Sequence, residues 1–283
     1  MFGKTRQAWY VQQWSVQDES LSDAIVIKRV KELRASMPRL GTRKLHYLLA
    51  ETLQQHSISI GRDKLFDLLE DYGLLIRKRK RKKIYTTDSR HRYNRYPNLI
   101  RGLELLKANI LWVSDITYIC IPDDFAYLSL ITDAYSRKIV GYCLYPTLQR
   151  QGPLNALAMA MLDCENTDRL IHHSDRGVQY CCDEYTGMLI NKNILISMTE
   201  KGDPYENALA ERVNGILKDE FGLDKIFEGF KEAIAAVDTA IEVYNTQRPH
   251  ASCDYLTPTI AHQIQGVIKK RWKKKERVNL FQD

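Results

Sequence analysis

The sequence predicts an α/β protein, a mixed five-stranded sheet with flanking helices, preceded by a small all-α module. Three observations predict it. Three helix-period segments lie before residue 76. Three β-branched and aromatic runs between 109 and 146 are joined by turns of two or three residues, and turns that short suit only an antiparallel meander. After residue 150 helix-like and strand-like segments alternate, so the later strands enter the sheet between covering helices.

The first helix is expected over 21–36, "LSDAIVIKRVKELRAS", where apolar and basic residues alternate at helical spacing and Ser22 or Asp23 can cap the start. "RKLHYLLAETLQQ" (43–55) sets Leu45, Leu48, Leu49 and Leu53 on one face of a second. "IGRDKLFDLLEDYG" (60–73) is a third, closed by Gly73 in a left-handed cap. Three short helices with polar breaks fit a helix-turn-helix module over 1–76, although helical packing without DNA contact fits this stretch equally. "RKRKRKK" (77–83) follows, Arg77, Lys78, Arg79, Lys80, Arg81, Lys82 and Lys83 in one run. Seven adjacent cations cannot be buried, so the run is a solvated linker or an arm along a phosphate backbone. Tyr93 and Tyr96 then interleave with Arg90, Arg92 and Arg95, either to stack on bases or to pack on a neighbouring surface.

Strands are expected over 109–121, 125–135, 138–146, 169–174 and 194–200, with helices over 152–165 and 183–193. The segment "KGDPYENALAERVNGILKDEFG" (201–222) opens with Asp203, Pro204 and Glu206 in the order of a capping box. Asn207, Glu211, Asn214 and Lys218 then fall on one narrow polar stripe. The expected organisation is a helical module over 1–76, a basic linker over 77–107, an α/β core over 108–265 and a basic tail over 266–283.

Charge is unevenly distributed. Residues 1–107 carry a balance of +12, residues 108–266 of −10 and residues 267–283 of +5, within a net charge of +7. Basic flanks suit a polyanion, above all nucleic acid. An acidic middle would repel it unless cations intervene. The sequence holds neither a run of 18 apolar residues nor a signal-peptide pattern, which argues against a membrane span or export. Cys120, Cys143, Cys164, Cys181, Cys182 and Cys253 form no Cys-x-x-Cys pair, as in a reduced cytoplasmic protein.

Three carboxylates stand out. Asp115 lies inside the strongly apolar strand "LWVSDITYI", where a charge is costly unless it is paired or binds a cation. Asp175, in "LIHHSDRGVQY" (170–180), follows a short strand and precedes Gly177, the strand-end position where ligands gather in α/β sheets. Glu211 sits on the polar stripe. Hard divalent cations take such oxygen ligands, one or two carboxylates each, and a pair of them serves phosphodiester chemistry. His172 and His173 point to opposite faces of a strand and suit one metal poorly. Cys181 and Cys182 lack zinc spacing, and Ser174 beside His173 and Asp175 is no triad.

"WVSDITYI", "HSDRGVQY", "GDPYENALAERVNGILKDE" and "YNTQRPHASCDYLTP" together resemble, in order, the motifs of transposases of the insertion sequence 3 family, the OrfB-type polypeptide related to retroviral integrases. The resemblance covers about residues 20–265, and 35 residues separate Asp175 from Glu211, the interval for which this Asp-Asp-Glu class is named. It implies a ribonuclease-H-like core in which Asp115, Asp175 and Glu211 hold two magnesium ions, with manganese as a substitute. The implied chemistry is cleavage at the 3′ end of a DNA element followed by strand transfer, without a covalent enzyme intermediate. Lys218 matches a DNA-contacting Lys/Arg of the class, and Asn207 and Asn214 share its stripe. A homo-oligomer on paired element ends is implied, as is an OrfA-type partner or fusion carrying the helix-turn-helix and zipper absent upstream here. The expected setting is the cytoplasm, at the nucleoid. Cys253–Asp254 stands where the family more often has Leu-Gly, a local packing change. Tyr244, Asn245, Arg248, Pro249 and His250 match a motif to which a structural role is assigned. A nuclease of the same fold that cuts without joining, or a DNA-binding regulator of the full transposase, would share many of these features.

Overall fold

The computed structural model describes residues 6–77, 92–122, 124–200 and 208–271. Chain contacts divide it into two compact units, Met1–Arg81 and Lys82–Asp283.

The first unit is helical: α1 (Arg6–Ser36), α2 (Thr42–Leu48), α3 (Ala50–Gln55) and α4 (Arg62–Asp71). The expected start near Ser22 is corrected: α1 is one 31-residue helix running through it, because neither proline nor glycine interrupts residues 6–36. The single helix expected over 43–55 is two, α2 and α3, with Leu49 between them still in the right-handed region. Val26, Ile27, Val30, Met37, Leu40, Leu45, Leu49, Leu65 and Leu69 bury one core. Arg34 closes it by donating to the carbonyls of Leu74 (2.6 Å) and Leu40 (3.1 Å). Gly73 has φ +66 and ends α4, with the Leu74 amide reaching back to the Leu69 carbonyl.

The second unit is built on a sheet of β1 (Leu111–Ile121), β2 (Asp124–Asp133), β3 (Ile139–Tyr145), β4 (Ile171–Ser174) and β5 (Leu195–Met198), in the order β3-β2-β1-β4-β5. The meander β1-β2-β3 is antiparallel, and β4 and β5 join parallel to β1. Helices α5 (Gln151–Leu162), α6 (Val178–Cys181) and α7 (Asp183–Asn191) share one core with Trp112, Ile116 and Ile196. Helices α8 (Ala208–Glu220) and α9 (Phe230–Thr246) share another with Ile119, Leu128 and Leu130. The alternation along β1 thus serves two cores, which is why it reads as almost continuously apolar. α5 approaches closely because β3 offers Gly141: a β-carbon there would lie 2.2 Å from the Ala156 carbonyl oxygen. Pro153 is the third residue of α5, within the turn whose amides need no helical acceptor.

α9 is absent from the sequence reading, although Ala233, Val237, Ala240, Ile241 and Tyr244 bury one face of it at helical spacing. The motif beyond it is structural. Arg248, 1% exposed, donates to both carboxylate oxygens of Glu220 at the end of α8 (2.8 and 2.9 Å) and lies 2.7 Å from His250 Nε2. Asn245 spans the backbone amide and carbonyl of Ile139, and the Tyr244 hydroxyl donates to the Arg137 carbonyl. Cys253 is fully buried and Asp254 takes a left-handed conformation, φ 54, a position that a glycine fills without strain. α10 (Pro258–His262) follows, capped by the Thr257 hydroxyl.

Residues 92–107 are attached to the second unit. Tyr93 and Tyr96 pack on the α5–α7 core. The Leu99 amide donates to Ser197 Oγ, and the Met198 amide to the Pro97 carbonyl.

Candidate active site

Asp115 lies on the α8 face of β1. The β1–β4 pairing runs Leu111–Ile171, Trp112–His172, Val113–His173. Continued by two residues, that register sets Asp115 level with Asp175, just past the end of β4. Asp115 is half-buried, and its Oδ2 accepts a 2.7 Å hydrogen bond from Asn214 Nδ2 on α8. Its carboxyl is pushed up to about 7. Desolvation is the largest cause, followed by the charge of Asp175; Asn214 and the Ile116 amide pull the other way, and the charge of Glu211 adds a smaller push. Two of the sequence-selected carboxylates, Asp175 and Glu211, therefore act electrostatically on the third.

Asp175 is half-buried, and its Oδ1 accepts from the Gly177 amide at 2.9 Å, which fixes the turn after β4. A β-carbon on Gly177 would sit 3.0 Å from that same oxygen, so the glycine leaves the carboxylate its room. Glu211 is exposed in the first described turn of α8. Among the described residues no three His, Cys, Asp or Glu side chains are close enough to grip one metal ion. Asp115 on β1 and Asp175 just past the end of β4 thus lie level, and Glu211 is exposed on α8.

The stripe on α8 divides. Lys218 is half-buried with its ammonium 3.4 Å from the centroid of the Tyr118 ring. Asn214 is 6% exposed and its Nδ2 is turned onto Asp115, because the helix packs that part of the stripe against β1. Asn207 and the capping-box residues Asp203, Pro204 and Glu206 lie outside the described residues, as do Lys78, Arg79, Lys80, Arg81, Lys82 and Lys83. Arg77 is exposed, and its carbonyl accepts from Arg39.

The two histidines do point apart. His172 meets Ser114 Oγ (2.6 Å) and Tyr185 Oη (2.9 Å), whereas His173 meets Ser197 Oγ (2.8 Å). Burial depresses His172 to about 3, so it stays neutral and supports the fold. Tyr180 was not singled out from the sequence. It is 3% exposed, its hydroxyl has no hydrogen-bond partner among the described residues, and burial together with Tyr185, Asp115 and Asp175 raises its pKa. Its place at the end of "HSDRGVQY" was the only available signal.

Hard oxygen ligands beside a desolvated carboxyl suit a divalent cation, since positive charge would remove the repulsion that raises Asp115. Asn214 Oδ1, buried and without a hydrogen-bond partner among the described residues, belongs to the side chain that donates to the same carboxyl. The residues present therefore fit such an ion.

Two matches to the integrase core domain cover residues 106–204 and 192–258. An insertion element IS600 31 kDa protein of Shigella sonnei is 35% identical over 265 residues, 91% of this chain and 94% of that one. The transposase for insertion sequence element IS904 of Lactococcus lactis subsp. lactis is 30% identical over 242 residues, 80% of this chain and 96% of the relative. A chain of the simian T-cell lymphotropic virus intasome, solved in complex with PP2A regulatory subunit B56 gamma, superposes with TM-score 0.50 at 17% identity. It covers 83% of this chain and 79% of that one and shares the fold. The integrase-core matches and the 30–35% identity to insertion-element proteins over most of the chain lead to one conclusion: the chain belongs to the insertion sequence 3 family of DNA transposases.

Proposed function

We propose that Asp115, Asp175 and Glu211 are the catalytic, metal-holding residues of this transposase, and that it frees a 3′-hydroxyl at the element end and joins it to target DNA. The observation that carries the reading is the Asp115 carboxyl, held at about 7 by burial and by the charges of Asp175 and Glu211. Integrase-core enzymes are metal-dependent, and two magnesium ions, with manganese as a substitute, match this donor set. Bound there, the ions would supply positive charge that neutralises a phosphodiester and sharpens an attacking oxygen.

The chain's own residues do the rest. Asp115 and Asp175 present acceptor oxygens from rigid backbone, a strand and a tight turn, so little reorganisation precedes reaction. Glu211, on the exposed first turn of α8, completes the set as substrate enters. Lys218 leaves the Tyr118 face for a DNA phosphate, and Asn207 with the run from Arg77 to Lys83 follows the backbone. In strand transfer one phosphorus–oxygen bond forms as another breaks, so no external energy source is required. The enzyme works as a homo-oligomer on paired ends, with an OrfA-type portion as partner or fusion, in the cytoplasm at the nucleoid. No helix among the described residues is long and apolar enough to cross a membrane.

The test is a magnesium-dependent plasmid assay with element-end DNA, run with and without the OrfA-type portion. Joined products are expected, and nicks alone would assign the chain to cutting without joining. Asp115→Asn, Asp175→Asn and Glu211→Gln should each lower cleavage by well over about a hundredfold, more than loss of an outer-shell partner costs, while DNA binding survives. Near-normal cleavage by any one of the three removes it from the site.

A further inference from the structure

We infer that Asn214 is a positioning residue for the metal centre, its carboxamide fixing the Asp115 carboxylate through Nδ2 while Oδ1 serves as a second acceptor beside the same centre. The inference rests on the proposed role of Asp115. A carboxylate only accepts hydrogen bonds, so the 2.7 Å contact with Asp115 Oδ2 requires the amide nitrogen to face it. The carbonyl oxygen is thereby turned aside, and it is buried without a hydrogen-bond partner among the described residues. Leaving a buried acceptor unmatched is unfavourable, and evolution of a merely structural contact could have used an apolar residue at this 6% exposed position. Magnesium keeps several of its waters when bound by carboxylates, and those waters are donors of the kind Oδ1 lacks.

The placement also has a mechanical consequence. Asn214 lies three positions after Glu211 on α8, so the two lie on neighbouring turns of one helix face. The Asn214–Asp115 bond therefore docks onto β1 the helix that carries the third carboxylate. One side chain thus orients the first carboxylate and sets the distance of the last.

The experiment uses the full chain without DNA and follows Mn2+ binding by water-proton relaxation, so that metal affinity is read apart from activity. Asn214→Leu keeps the branched side-chain shape and removes both polar atoms, and Asn214→Ala decides the matter if leucine disturbs packing. Asp115→Asn is the reference, and thermal unfolding in EDTA checks the fold of each. Both Asn214 variants should raise the Mn2+ dissociation constant by about tenfold or more, within the range for outer-shell partners of metal ligands. Wild-type Mn2+ affinity in a folded Asn214 variant, alongside weakened binding by Asp115→Asn, would overturn the inference alone. Unchanged affinity in Asp115→Asn would overturn the reading of the centre itself, and the inference with it.

Discussion

Asp115 destabilises the fold in which it sits. The folded carboxyl holds its proton to about 7, against an ordinary value of 3.8. Between those values the folded state binds more protons than the unfolded state, so stability falls as pH rises from about 4 to about 7 and stays low above that. Asp115→Asn removes the charge and leaves an oxygen that can still accept from Asn214. It should therefore gain roughly 1–3 kcal/mol at pH 8 in EDTA, and little at pH 4, after allowance for the solvent that reaches the group. Thermal unfolding at the two pH values measures this. Equal midpoints for variant and wild type at pH 8 would show that the charge carries no penalty. The sequence made Asp115 conspicuous, because a carboxylate within "LWVSDITYI" needs a reason. It could not reveal Asn214, because a polar residue on a polar stripe looks the same whether it meets water or a buried acid.

The strands were legible because their signals are local. β-branched and aromatic runs, separated by turns of two or three residues, define β1, β2 and β3 without reference to anything distant. β4 and β5 were also found, although their parallel partners are set only by the fold. The helices were harder. α1 runs through a capping signal at Ser22 because a cap residue does not by itself break a helix. α9 was missed although its buried stripe is regular. The ends of α8 and α9 are joined by Arg248, whose side chain is 2% exposed while that of Glu220 is 14% exposed. Removing one partner of such a pair leaves a buried charge, so Arg248→Ala should cost about 3–5 kcal/mol. Arg248→Lys should recover only part, because lysine cannot make the two-pronged contact. Chemical denaturation reads both, and an alanine variant within about 0.5 kcal/mol of wild type, the scale of an ordinary surface change, would mean that the joint does not hold α8.

At the scale of the whole molecule, an acidic core lies between basic flanks, within a chain of net charge +7. Each phosphate neutralised by the run at 77–83 should contribute about 0.9 to the slope of log affinity against log salt. Replacing those seven residues with glutamine should weaken DNA binding and flatten that slope by several units, and an unchanged slope would make the run a passive linker. The charge asymmetry is readable from sequence alone, and so is the 35-residue interval between Asp175 and Glu211. Their proposed meeting with Asp115 is not, since it depends on β1 and β4 lying side by side. Anomalous diffraction from crystals grown with Mn2+ and element-end DNA tests that meeting most directly. The account predicts manganese density ligated by Asp115, Asp175 and Glu211. Manganese bound elsewhere, with Glu211 still turned to solvent while DNA occupies the site, would contradict it.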